Sequence, residues 1–169
     1  LIALSACLGG EIGQALLAGR HDEAKRIALE YREIFGAENY FLEIQKHPHV
    51  LESEKIESAL IALSKETGIP LVATQDSHYV HTEDNQYHDV LLAVQTGNKL
   101  SDDDRMTMKG DDFSLLSPEA MAEKFAHIPG AIERTAAIAE RCNVELELGK
   151  VLLPSFPKPE GKTANAYLR

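Results

Sequence analysis

The residues best suited to chemistry in this chain are Asp76 and His78. They close the stretch Pro70-Leu71-Val72-Ala73-Thr74-Gln75-Asp76-Ser77-His78-Tyr79-Val80. A carboxylate and an imidazole two positions apart point to the same side of an extended chain, roughly 7 Å apart at Cα. So placed, they can bind one divalent ion or two neighbouring ones. The alternative is a turn-starting Asp76 and a His78 satisfied within its own loop, because short motifs also match by accident. Cys7 adds a third donor type. The set suits zinc, or a mixed cluster with manganese or iron at the oxygen-rich positions. A free cysteine is also a common small buried residue, and that reading stands beside the first. Clustered divalent ions make hydroxide at neutral pH and neutralise phosphate charge, which suits phosphoester hydrolysis.

Other groups are weaker candidates. Glu43 reads as a carboxylate that orients a ligand or forms a salt bridge. His47 and His49 read as solvated loop histidines, and His88 as a helix residue that packs locally. His81 follows the Asp76–His78 motif closely enough to approach the site. The chain contains no nucleophile triad, no phosphate-cradling glycine loop and no zinc-finger spacing.

Elements that position these groups follow from the hydrophobic pattern. Leu71 to Thr74 is an apolar run without helical period, opened by Gly68 and Pro70, and predicts a parallel core strand. Leu1 to Ser5 predicts a first strand with Cys7 just past its end. Tyr40 to Gln45 predicts another with Glu43 inside it. Helices are expected over Glu11–Ala18 and over Asp22–Phe35, the latter with Asp22 as cap and Gly36 as stop. A further helix over Ser53–Thr67 turns Ile56, Ala59, Leu60 and Leu63 inward. One over Asp84–Thr96 is expected to bury Tyr87, Val90, Leu91 and Val94. Ser117-Pro118-Glu119 starts a helix with Met121, Phe125 and Ile128 on its inner face, and Ala131–Arg141 forms the last. Asp102, Asp103 and Asp104 read as a solvated loop rather than a cation site. Val144, Leu146 and Leu148 alternate as a short strand or extended exit.

Strands separated by helical crossovers imply parallel pairing and right-handed connections. The fold class is therefore α/β, as part of a barrel or of an open sheet. Barrel chemistry gathers at the C-terminal ends of strands, where Cys7, Asp76 and His78 all fall. They are expected to share one face.

Composition narrows the partners. The chain has 169 residues, 44% hydrophobic, and a formal net charge of −10. A surface that grips a phosphate backbone is normally basic, so this chain is not expected to be a main DNA-holding surface. No apolar run approaches the ~20 residues of a membrane span. Two cysteines give no disulfide framework, and a reducing cytoplasm fits best. Because Leu1 to Ser5 already reads as strand, the chain is expected to be an internal piece of a longer protein.

The string Ala73-Thr74-Gln75-Asp76-Ser77-His78-Tyr79 resembles a late metal-binding motif of the PHP (polymerase and histidinol phosphatase) domain, in the form found in alpha subunits of bacterial DNA polymerase III. Four further stretches resemble the same subunits in the same order. They are Ile2-Ala3-Leu4-Ser5-Ala6-Cys7-Leu8-Gly9-Gly10-Glu11, Tyr40-Phe41-Leu42-Glu43-Ile44-Gln45, His88-Asp89-Val90-Leu91-Leu92-Ala93-Val94-Gln95-Thr96-Gly97 and Leu153-Pro154-Ser155-Phe156-Pro157. The resemblance implies the C-terminal portion of a distorted TIM-like barrel over residues 1–149, with 150–169 a connector into the polymerase domain. It implies Cys7, Asp76 and His78 as metal ligands, for zinc or manganese, with Glu43 behind them. The resemblance places the earlier ligands of the family, a His-x-His pair among them, in motifs that come before the stretch carrying Cys7. No catalytic residue is assigned, since the palm aspartates and their magnesium lie outside this chain. DNA, deoxynucleotides, a sliding clamp and a proofreading subunit are implied as partners of the parent polymerase, with no membrane partner. The PHP segment then serves a 3′–5′ exonuclease or a structural role, and is expected to be inactive alone. A free-standing histidinol-phosphatase-like phosphoesterase is the alternative.

Overall fold

The computed structural model describes residues 1–151, 153, 154 and 156–168. Leu152, Arg169 and Ser155 of the expected connector lie outside the described residues. Three short parallel strands form the sheet, β1 (Ala3–Leu4), β2 (Tyr40–Ile44) and β3 (Leu71–Ala73), in the order β1-β2-β3. Helices α1 (Glu11–Leu17) and α2 (His21–Phe35) join β1 to β2, and α3 (Leu51–Thr67) joins β2 to β3. Such crossovers are what parallel neighbours require. Pairing runs Ala3 to Tyr40 and Leu4 to Phe41 on one side of β2, and Leu42 to Leu71 and Ile44 to Ala73 on the other. The class is α/β, as the alternation of strand and helix predicts.

Both faces of the sheet are covered. On one face Leu42, Ile44, Leu71 and Ala73 are buried beneath Ile12, Ala15, Ala24, Ala28, Leu60 and Leu63 from the helices, and on the other Phe41 and Val72 are buried outside that cluster. This explains why β2 and β3 are nearly continuous apolar runs rather than alternating ones. On its free edge β3 is met by α6 (Ala131–Arg141). Arg134 Nη1 donates to the Leu71 carbonyl and Thr135 Oγ1 to the Ala73 carbonyl, each at 3.0 Å. Those bonds satisfy edge carbonyls that would otherwise offer themselves to another strand.

Local signals set most helix ends. Gly68 stops α3 in the left-handed region at φ 70°, where a side chain would be strained. Ser117 caps α5 (Pro118–Lys124), its Oγ accepting from the Ala120 N–H at 3.2 Å. Helix α2 departs from expectation. Arg20 occupies the cap position, and Asp22 and Glu23 sit in the first turn, where their charge favours the helix dipole instead.

Helix α4 (Asn85–Thr96), entered through a 3-10 turn at Thr82–Asp84, carries a larger correction. It buries Asp89, Leu92 and Ala93 and leaves Tyr87, Val90, Leu91 and Val94 exposed. The cause is an ionic anchor. Arg105 grips Asp89 through two bonds, Nη1 to Oδ1 at 2.6 Å and Nη2 to Oδ2 at 2.7 Å. Lys109 reaches Oδ2 at 2.8 Å and Thr107 donates to Oδ1 at 2.8 Å. The loop 98–112 thus pulls the polar side of α4 inward. Beyond α6, Val144, Leu146 and Leu148 are exposed, with no strand among the described residues there, and the Leu148 N–H closes a tight turn on the Leu146 carbonyl at 2.9 Å. The expected connector is not wholly extended, since α7 (Ala164–Leu168) adds one short turn of helix.

Candidate metal centre

Beyond β3 the chain continues against β2, with the Thr74 N–H on the Ile44 carbonyl at 3.1 Å, and then turns. Asp76 has φ 59°, one of two non-glycine residues in the left-handed region among the described residues. Aspartate tolerates that conformation better than most residues. The pairing of Asp76 with His78 therefore does not come from extended alternation. It comes from this turn, which carries Asp76 Oδ1 to 3.3 Å from His78 Nε2. Two donors on one tetrahedral ion with bonds of roughly 2.0–2.1 Å stand about 3.3 Å apart, so the pair has the spacing of two ligands of a single ion.

The surroundings hold that pair still. The His78 N–H donates to the Phe113 carbonyl at 2.8 Å. The His78 ring meets Phe113 edge-on at 5.7 Å between centroids and lies 5.2 Å from His88, which also packs on Tyr79. His88 thus packs locally, as expected. Gln75 is buried and bridged, accepting from Lys124 Nζ at 2.7 Å and donating to the Asp112 carbonyl at 3.2 Å. Burial pushes the Lys124 ammonium down from its ordinary value, against the fields of Asp111 and Asp112. His81 is exposed, and its backbone N–H is taken by Asp84 Oδ2 at 3.0 Å.

The second strand end carries Cys7. Its predecessor Ala6 is the other non-glycine residue in the left-handed region, at φ 62°. For alanine this costs about 1–2 kcal/mol. Strain of this kind collects at functional loops. The loop is wedged by glycine. A Cβ at Gly13 of α1 would stand 2.8 Å from the Cys7 carbonyl oxygen, and one at Gly10 would stand 2.7 Å from that of Ser5. Gly13→Ala is therefore expected to push the Cys7 loop outward and cost about 1–3 kcal/mol, read as a lowered urea midpoint. An unchanged midpoint would show that the loop is not packed as described.

Glu43 lies in β2, where its carboxylate ties the strand ends together. Oε1 accepts from Thr74 Oγ1 at 2.6 Å and from Gln45 Nε2 at 3.1 Å, and the Glu43 N–H donates to Ser5 Oγ at 2.9 Å. None of these bonds reaches Cys7, Asp76 or His78 directly, and no ion pair involves Glu43 among the described residues. Cys7 is exposed at the surface, yet it shares with Glu43, Gln45 and His47 the wall of a small cavity of about 20 Å³. That is room for roughly one water-sized group.

His47 overturns its expectation. It is 5% exposed, and neither Nδ1 nor Nε2 has a hydrogen-bond partner among the described residues. Ser53 draws it inward, its Oγ accepting from the His47 N–H at 3.0 Å, and the ring stacks on Phe113 at 4.5 Å. Burial lowers the tendency of His47 to take a proton and the Lys124 charge lowers it further, while Asp111 and Asp76 oppose both. His49 is exposed as expected, with its N–H on Asp111 Oδ2 at 2.9 Å. Nothing local in Lys46-His47-Pro48-His49 marks one histidine as inside. The signal is Ser53 on the buried face of α3, which has a polar partner to find. Among the described residues no three of His, Cys, Asp and Glu come close enough to hold an ion by themselves. The structure brings Asp76 and His78 together past β3, and sets Cys7, past β1, around one small cavity with Glu43 of β2 and His47 just beyond it.

The PHP domain profile matches residues 1–47, which include Cys7, Glu43 and His47 but not Asp76 or His78. The DNA polymerase III subunit alpha of Treponema pallidum (strain Nichols) is 42% identical over 170 residues, covering 100% of this chain and 14% of that protein. The same subunit of Pseudomonas aeruginosa is 41% identical over 169 residues, and that of Thermus aquaticus 40% over 178, each again across 100% of this chain and 14% of the relative. The chain thus spans about 14% of the length of these relatives. From end to end it is a homologue of one segment of the DNA polymerase III alpha subunits, a segment that opens in PHP-domain sequence.

Proposed function

We propose that residues 1–149 are the later part of a PHP domain, and 150–169 a connector, within an alpha subunit of a replicative bacterial DNA polymerase. On this reading β1, β2 and β3 are part of a distorted TIM-like barrel whose remainder lies elsewhere in the protein. The whole protein is a DNA-directed DNA polymerase. It acts on primed DNA and deoxynucleotides with magnesium in the cytoplasm, beside a sliding clamp and a proofreading subunit. The PHP centre takes zinc or manganese and supports a 3′–5′ exonuclease.

One observation carries the metal reading: the 3.3 Å approach of Asp76 and His78 at the end of β3, made by a left-handed turn. A divalent ion bound there supplies a Lewis acid for a phosphate oxygen and a water of lowered pKa. Asp76 contributes the negative charge and His78 a neutral nitrogen lone pair, so the imidazole must be deprotonated to serve. Phe113 and His88 keep the His78 ring from turning away. Glu43 acts through Thr74, fixing the strand end from which Asp76 departs. Cys7 stands past the end of β1, on the far side of β2, as a thiolate donor for a second position.

The test compares two proteins. Full-length protein is expected to extend a primed template with deoxynucleotides and magnesium, and the 169-residue chain to give no extension. Extension by the short chain alone, or none by the full-length protein, would sink the reading.

A further inference from the structure

We propose that His47 is a metal-contacting residue of this same centre, joining Cys7 to the Asp76–His78 pair. The proposal rests on the metal reading of the site and extends it by one ligand.

Four observations meet at this side chain. The ring is 5% exposed with both nitrogens orphaned. Buried polar groups without partners are rare, and each calls for a partner the protein does not supply. His47 lines the cavity of about 20 Å³ whose wall Cys7 and Glu43 share, and these three donors do not close on an ion without the other ligands of the centre. Sulfur and nitrogen donors together favour zinc. His47 and His78 rest on the same phenyl ring, Phe113, at 4.5 Å and 5.7 Å, so one residue spaces the two imidazoles. The backbone is fixed as well, through the His47 N–H on Ser53 Oγ. A ring placed this firmly, with its lone pair unused, has the features of a ligand awaiting its ion.

The experiment uses full-length protein, as wild type, His47→Phe and His47→Gln. Phenylalanine keeps the stack on Phe113 and fills the same volume without a lone pair. Each protein is stripped with chelator and titrated with zinc, and separately with cobalt, whose absorption includes a thiolate band that reports Cys7. Melting temperature is recorded with and without metal. The expected result is zinc affinity at least about tenfold lower in both variants, with a weakened thiolate–cobalt band. The metal-free melting temperature of His47→Phe should be equal to or above that of wild type, since apolar atoms replace orphaned nitrogens. Wild-type affinity and an unaltered cobalt spectrum in the variants would overturn the role of His47 and leave a packing residue satisfied by water. A wild-type protein that takes up neither zinc nor cobalt would overturn the metal reading of the site along with it.

Discussion

In the full-length protein, Asp76→Asn is expected to lower metal-dependent 3′–5′ exonuclease activity by on the order of 100-fold or more, because residues merely behind metal ligands already cost 10–100-fold. Primer extension on the same protein should stay within about twofold, since distant sites behave independently. The reasons are local. The amide is nearly isosteric with the carboxylate, and asparagine tolerates the left-handed backbone at φ 59° as readily as aspartate does. The turn that brings residue 76 to His78 therefore survives the change. What would be lost is the negative charge proposed to hold the ion. On the proposed reading polymerisation uses carboxylates outside this chain and should register the change only through stability, because a bound metal adds folding free energy. Melting temperature must accordingly be followed alongside both rates. Undiminished exonuclease activity, in protein shown to be free of any separate proofreading subunit, would remove Asp76 from the site.

Much of this arrangement can be read from the residues alone, and the failures have physical causes. Helix α6 is legible to its ends, because Gly130 in the left-handed region opens it and a steady 3.6-residue period runs to Arg141. The Ser117-Pro118 start is legible for the same reason, since capping is chemistry between neighbours in sequence. The parallel sheet follows from runs of apolar residues too long between strands to be hairpins. Helix α4 was misoriented by its own pattern. Periodicity shows that Tyr87, Val90, Leu91 and Val94 share a face, and says nothing of whether this chain covers that face. The outcome was decided by Arg105 and Lys109, which are 16 and 20 positions from Asp89 and invisible to any helical window. The site divides in the same way. Asp76-x-His78 is legible as donor types, but the contact between them depends on a left-handed turn. His47 is not legible, because its burial comes from Ser53 in the next helix and Phe113, far along the chain.

The largest effect on stability is expected from Asp89→Asn. Asp89 is 1% exposed and accepts from Arg105, Thr107 and Lys109 at once. Removing its charge leaves the Arg105 guanidinium, itself only 10% exposed in its side chain, without a counter-ion. Breaking a buried pair from one side is far costlier than never having made it. The expected fall in melting temperature at pH 7 is on the order of 10 °C for a chain of this size. A pH dependence separates this from a simple packing defect. The bonds from Arg105, then Lys109, hold the Asp89 carboxyl well below its ordinary value of 3.8. A carboxyl so lowered contributes stability that is complete above the ordinary value and is lost as pH falls toward the folded one. The gap in melting temperature between wild type and Asp89→Asn should therefore hold from pH 7 to about pH 5, then narrow as pH falls below about 4. The loss also reaches the candidate site. The loop that Asp89 anchors leads directly to Phe113, whose carbonyl and ring hold His78 and whose ring carries His47. Zinc affinity should fall with stability in this variant, although Asp89 touches neither imidazole. A gap that persists undiminished to pH 3 would show that the anchor is steric, and that loop 98–112 is held by something other than this charge.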